Sequence, residues 1–192
     1  MASARVIAGV LGIGGAIPFV AFVPQIARTS MSTSTSSSNA DHDHGGARRE
    51  AGTNPIDEGK RALGLPTDRA GGVRAQLQYG ASIVSFLGAV HWGLAVAEGT
   101  HGALRLGWGV MPSIGAWLAM STGACNDEVR KADALAGLLG TCYVADAVFT
   151  MNKLLPQWYM SLRTPLTIVA IVSLYATRSE LERTRSAKDE MR

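Results

Sequence analysis

Residues 76–97 read QLQYGASIVSFLGAVHWGLAVA, a run without a single Asp, Glu, Lys or Arg. A hydrocarbon core about 30 Å thick needs roughly 20 apolar residues at 1.5 Å each, so this stretch is long enough to cross a bilayer as one helix. Working outward, four more stretches qualify: residues 104–121, 134–151 and 157–177 downstream, and 4–26 upstream. The span at 157–177 is the weakest, because Arg163 and Pro165 interrupt it. It reaches spanning length only when taken back through Trp158 and Tyr159, with Arg163 snorkelling to the interface. The upstream stretch begins like a secretory signal, but its apolar run is longer than a usual signal core and has no clear small-x-small site, so it is read as an uncleaved first helix.

Composition agrees with the spans. Hydrophobic residues make up 47% of the 192 positions and charged ones only 17%, too apolar a balance for an ordinary soluble domain of this size. The charges crowd into residues 41–74, 127–133 and 178–192, as they do in aqueous segments between membrane spans. The expected fold is all-α: a polytopic membrane protein built as a bundle of five transmembrane helices. Its direction follows from the basic residues. Arg5, Arg105, Lys153 and Arg163 fall on one side, and the other 14 of the 18 Lys and Arg on the other, which puts the N-terminus outside and the C-terminus inside.

The chain then divides into a first transmembrane helix at 1–27, an inner-side loop at 28–74, a four-helix transmembrane bundle at 75–177 and a charged inner-side tail at 178–192. Within the loop, residues 29–39 are rich in Ser and Thr and offer nothing apolar to offset the entropy of ordering. A short surface helix is expected after Asn54 as N-cap, with Pro55 at its first position, Asp57 and Glu58 in the first turn, and Gly64 past its end. Small residues recur every four positions inside the spans, as at Gly12, at Ala81, Ser85, Ala89 and Gly93, and at Gly137. Such ribbons let helix backbones approach closely in lipid, so these residues are the expected helix-packing positions.

Several function classes are excluded. The basic residues alternate with acids and form no one-signed patch for nucleic acid. Cys125 and Cys142 make no CxxC pair, which argues against a disulfide framework or structural zinc. Asp41-His42-Asp43-His44 alternates carboxylate and imidazole but lacks the thiols or rigid spacing of a strong metal site, and reads as solvated linker, so no metal is expected. His91 has no second histidine in a span to complete a bis-histidine haem. No GxSxG, Walker loop, HExxH or dinucleotide fingerprint occurs in the chain.

Ionisable side chains within a span are expensive, about 2.5 to 3.5 kcal/mol at the centre on insertion scales, so each needs a partner or a purpose. Three qualify here: His91, Asp146 and Arg163. With five alternating spans, each falls six or seven residues below the outer side, so the three share one intramembrane polar layer. Asp146 and Arg163, on consecutive helices joined by a short loop, are the expected pair, with His91 either donating to Asp146 or binding a polar group beside it. Such a layer either staples three helices or serves to relay protons, grip a quinone head group or bind an anionic substrate. Trp92, Trp108, Trp158 and Tyr159 fall near the same outer face as an interfacial aromatic belt, with Trp117 toward the inner one.

Three stretches taken in order carry a resemblance. They are Gly14-Gly15-Ala16-Ile17-Pro18-Phe19, the run from Tyr79 to Gly93, and Leu155-Pro156-Gln157-Trp158-Tyr159 followed by Leu162-Arg163-Thr164-Pro165-Leu166-Thr167, with Leu106-Gly107-Trp108 and Pro112 between. The chain resembles the transmembrane protein 69-like family, small bacterial and mitochondrial membrane proteins of unknown function. The resemblance implies a five-helix bundle, a mitochondrial inner-membrane home for eukaryotic members, and no reaction. It departs from the bacterial pattern in the long loop at 28–74.

The expected function is that of a non-catalytic accessory subunit of a large inner-membrane respiratory complex or supercomplex, docking other membrane subunits through the inner loop and tail. No enzyme activity and no intrinsic cofactor are expected, beyond a bound lipid or quinone. Two alternatives stand beside it: a small transporter or quinone- or lipid-binding protein that uses the His91, Asp146 and Arg163 layer, and an accessory subunit of a thylakoid complex.

Overall fold

The computed structural model describes residues 16, 17, 19, 61–99, 102–121 and 127–192. Among these every regular element is helical: α1 (Arg69–Ala97), α2 (Ala103–Ser121), α3 (Glu128–Met151) and α4 (Gln157–Glu190). Three of them, α1, α3 and α4, are long and apolar enough to cross a membrane; α2, with 19 residues, is not among these three. The expected first span lies outside the described residues except for positions 16, 17 and 19, which are helical. Residues 28–60, with the serine-rich stretch, the Asp41–His44 run and the start of the expected surface helix, also lie outside them, as do Gly12 and Cys125. What is described of that surface helix is its last turn, Arg61 and Ala62, closed by Gly64 at φ 65° with its N–H bonded to the Arg61 carbonyl.

The helix limits follow from local chemistry. Asp68 caps α1 by accepting from the Gly71 N–H at 3.0 Å, and Asp127 caps α3 by accepting from Val129 at 3.2 Å. Pro156 holds the extended φ of −70° that precedes α4. Three boundaries differ from the sequence reading. The span expected at 134–151 begins as α3 at Glu128, directly behind its cap Asp127. The second span begins as a helix at Arg69 because Asp68 offers a cap before the apolar run starts. The expected tail at 178–192 is no separate segment: α4 continues through it to Glu190 as one helix of 34 residues, about 50 Å long. Nothing in residues 178–190 breaks a helix, and pairs such as Arg178 with Glu182 at 3.1 Å support it at i,i+4 spacing.

The packing is inverted relative to a water-soluble bundle. Phe86, Val144, Ile168 and Val172 are each more than half exposed, whereas Gln76, His91, Asp146 and Thr177 are buried to within 1%. An apolar exterior around polar interior groups is what lipid selects, since lipid cannot hydrogen-bond them. The interior is filled by Val73, Leu77, Val84, Leu135, Leu139 and Leu174. Helix α1 packs on α2 and α3, and α3 on α4. The closest approach is between α1 and α2, where a Cβ placed on Gly88 would collide with the Gly109 carbonyl and meet the Pro112 ring at 3.1 Å.

That contact corrects the packing expectation. Ala81 and Ser85 are partly buried, with Ser85 Oγ donating to the Ala81 carbonyl, but Ala89, Gly93 and Gly137 lie on the exposed surface. A Cβ on Gly93 or Gly137 meets nothing within 4 Å among the described residues. The ribbon that faces neighbouring helices is the adjacent one, Gly80, Val84 and Gly88, one residue or about 100° round the helix. The facing stripe carries Val84 between its two glycines, so no two of its small residues stand four apart, and the spacing pointed to the neighbouring stripe instead.

Candidate functional site: an intramembrane ion network

The alternation of four antiparallel helices brings the C-terminal end of α1, the start of α2, the end of α3 and the start of α4 to one end of the bundle. His91, Asp146 and Arg163 meet there. His91 Nε2 lies 2.7 Å from Asp146 Oδ1, and Arg163 Nε donates to Asp146 Oδ2 at 2.7 Å. Exposure of these three side chains is 1%, 1% and 5%. The pairing expected from the sequence is therefore the pairing in the structure. The expected snorkelling of Arg163 is not: its side chain turns inward, and Nη1 donates to Thr167 Oγ1 at 2.8 Å. A flexible four-bond stem near a helix start can reach either way, and Asp146 on the facing helix decides the direction.

Hydrogen-bond accounting leaves two atoms over. Among the described residues, His91 Nδ1 and Arg163 Nη2 are buried without a partner. The ring presents Nε2 to the carboxylate, and its other nitrogen, Nδ1, is the one left over. The ring packs against Phe149 at a centroid distance of 4.6 Å. Arg163 balances Asp146, one cation to one carboxylate. The Nη2 amino group of Arg163 is a donor with no acceptor among the described residues.

The expected aromatic belt sits at the same end. Trp92 and Trp158 are 51% and 38% exposed, in keeping with an interfacial position, while Trp108 and Tyr159 are partly withdrawn from the surface. Tyr159 flanks Asp146 and lies edge-on to Trp158 at 6.4 Å. Trp117, 64% exposed, lies toward the other end of α2. No group of three or more His, Cys, Asp or Glu suited to a metal occurs among the described residues, and Cys142 is a buried free thiol.

Two further polar clusters escaped the sequence reading. At the network's end of the bundle, Arg105 is 5% exposed, pairs with Glu98 at 2.7 Å and donates to the Leu154 carbonyl at 2.8 Å, tying α2 to both neighbouring turns. In sequence it counts merely as a loop charge, being the third residue of its helix. At the opposite end, Thr177 donates to Gln76 Oε1, and the Gln76 amide lies 3.4 Å from the carbonyls of Phe19 and Ser173. The one signal for it was an amide at the start of a span, and an uncharged residue there draws no attention.

Helices α1 and α4 touch at this opposite end through Gln76 and Thr177, and nearer the ion network they stand apart. A chamber of about 490 Å³ fills the gap, walled by Ile83, Phe86 and Val90 of α1, by Trp158, Tyr159 and Arg163 of α4, and closed by Phe19.

A helical bundle with an apolar exterior, ionic groups neutralised in its interior and helices long enough to cross a bilayer is an integral membrane protein. The sequence profile described as "Protein of unknown function (DUF3429)" matches residues 4–178, and the chain belongs to that family. It is similar to Transmembrane protein 69 of Xenopus tropicalis, with 35% identity over 103 residues. That match takes in 52% of this chain and 39% of the frog protein, well under two thirds of the relative's length. No solved structure matches the chain.

Proposed function

We propose that the chain is a non-catalytic accessory subunit of a large respiratory assembly in the mitochondrial inner membrane, crossing it five times with the N-terminus outside and the C-terminus inside. A thylakoid complex would use the same architecture in another compartment. The observation that carries this reading is the charged end of α4. It is helical and braced against the rest of the bundle: Arg69 donates to the Glu180 carbonyl at 3.0 Å and to Thr184 Oγ1 at 2.6 Å, Arg178 pairs with Asp133 at 2.8 Å, and Arg185 with Asp127 at 2.8 Å. Beyond these braces Arg183, Lys188, Asp189 and Arg192 are exposed, in both signs, on a rod about 20 Å past the apolar part of the helix. Fixed charges of mixed sign set register and partner choice at an interface more than raw affinity.

The ion network fits the same reading as a staple between α1, α3 and α4. Mild detergent extraction followed by native electrophoresis tests the assignment. The native chain is expected to migrate with a large particle, and the paired variant Arg183→Glu with Lys188→Glu, which spares the braces to α1 and α3, to shift toward the free protein. Migration of the unaltered chain as a free 20.2 kDa protein sinks the reading.

A further inference from the structure

We infer that the exposed face of α3 is the seam along which two copies of this chain pair, side by side in the membrane and related by a two-fold axis along its normal. The inference does not rest on the subunit reading. The exposed residues of α3 recur every three or four positions from Arg130 through Gly137 and Val144 to Met151, so at about 100° per residue they form one stripe about 80° wide. Lipid-facing positions on α4 are large: Ile168, Val172 and Tyr175 are each more than half exposed. On α3 the middle of the stripe is Gly137 and Thr141 instead. A Cβ on Gly137 or on the nearby Gly140 meets nothing within 4 Å among the described residues, and a hollow of about 540 Å³ extends from these glycines to Trp108 of α2. Bare backbone gains little from lipid tails, whereas a helix laid against it gains close van der Waals contact. Phe19 lies elsewhere: it shares a chamber with Leu139, which is two residues on from Gly137 and so about 200° round the helix.

Charge at the N-terminal end of the stripe selects the partner. Arg130 and Asp133 are both exposed and fall on opposite flanks of the line through Gly137. Asp133 holds Arg178 and still exposes 44% of its side chain. Copies of one chain insert in one direction, so their α3 helices meet in parallel, with equal residues at equal depth. A two-fold axis then brings the Arg130 flank of each copy to the Asp133 flank of the other, with an offset of about 4.5 Å along the helix that an arginine stem spans. One face thus supplies two reciprocal ion pairs, the self-complementarity that an isologous interface requires. Thr141 brings no unpaired polar group into the seam, because its Oγ1 donates to the Gly137 carbonyl at 2.9 Å.

The test uses the full chain, with one fluorophore fused after Arg192, in vesicles of neutral phospholipid, and counts bleaching steps over a series of lipid dilutions. Wild type is expected to give two-step particles whose fraction falls on dilution. Gly137→Leu places its side chain in open space within one copy, so it is expected to melt within a few degrees of wild type. Between copies it keeps the backbones apart, and is expected to weaken pairing about ten-fold. Arg130→Asp sets like charges across the axis and is expected to weaken pairing too. Gly93→Leu, a matched change on the exposed surface of α1, is expected to pair as wild type does. In a background of Cys125→Ser and Cys142→Ala, Val144→Cys is expected to form a disulfide between copies under copper phenanthroline, and Val110→Cys on the exposed face of α2 is not. Single bleaching steps at every density overturn the inference and leave the face to lipid or to a different subunit. A Gly137→Leu variant that pairs as wild type does, or a Gly93→Leu variant that pairs as poorly as Gly137→Leu, also overturns it. So does unfolding of Gly137→Leu, since another part of the chain then occupies the face.

Discussion

Asp146 holds two helices by one carboxylate, with His91 of α1 on Oδ1 and Arg163 of α4 on Oδ2. Removing its charge would leave a buried guanidinium with no counter-ion, a loss of about 3–5 kcal/mol by analogy with other buried pairs broken from one side. Asp146→Asn is therefore expected to lower the melting temperature sharply and to reduce accumulation in membranes. Replacing all three residues together, His91→Phe, Asp146→Leu and Arg163→Met, should recover most of that stability, as measured on the purified protein in detergent, because no ion is then left unpaired. Had the network served chemistry alone, Asp146→Asn would accumulate and melt normally. The three residues were legible in the sequence as the only ionisable groups deep in spans, and their shared depth followed from counting residues. The inward turn of Arg163 was not, because a long side chain near a helix end satisfies its charge equally well at the interface.

Contact between elements is decided by glycine at one place and tolerated without it at others. Gly88 of α1 meets the Gly109 carbonyl of α2, and no side chain fits between them. Gly88→Val is expected to force the two helices apart and abolish stable folding in detergent, whereas Gly93→Val, on the exposed surface, is expected to melt within a few degrees of wild type. Equal damage from both would contradict this packing. The four-residue spacing of small residues pointed to α1 as the closely packed helix. It picked the wrong stripe, since Ala81-Ser85-Ala89-Gly93 is small at every step, whereas the facing Gly80-Val84-Gly88 is interrupted by a valine that fills the core. The run of α4 to Glu190 was legible only in part: residues 178–190 carry no breaker, but their charge marks them as an aqueous segment and says nothing of continuity with the span before them.

At the scale of the whole molecule, an outward apolar surface and a neutralised polar interior describe a protein built for lipid. Helix type and the extent of the apolar runs were readable from the sequence, because long uncharged runs are local signals, whereas the caps Asp68 and Asp127, which start α1 and α3 six or seven residues before those runs, were not read. The braces that fasten the end of α4 join residues 45 to 115 positions apart and left no local trace. Three of these helices are long and apolar enough to cross a membrane, and the central proposal is that they do so with the ion network at the outer end and the charged end of α4 inside. Cysteine labelling tests it most directly. In a background of Cys125→Ser and Cys142→Ala, single variants Gly102→Cys, between α1 and α2, and Lys188→Cys, near the end of α4, are exposed to a membrane-impermeant maleimide in sealed vesicles of known orientation. The account predicts that Gly102→Cys labels only from the outer side and Lys188→Cys only from the inner side; labelling of both from the same side would contradict it.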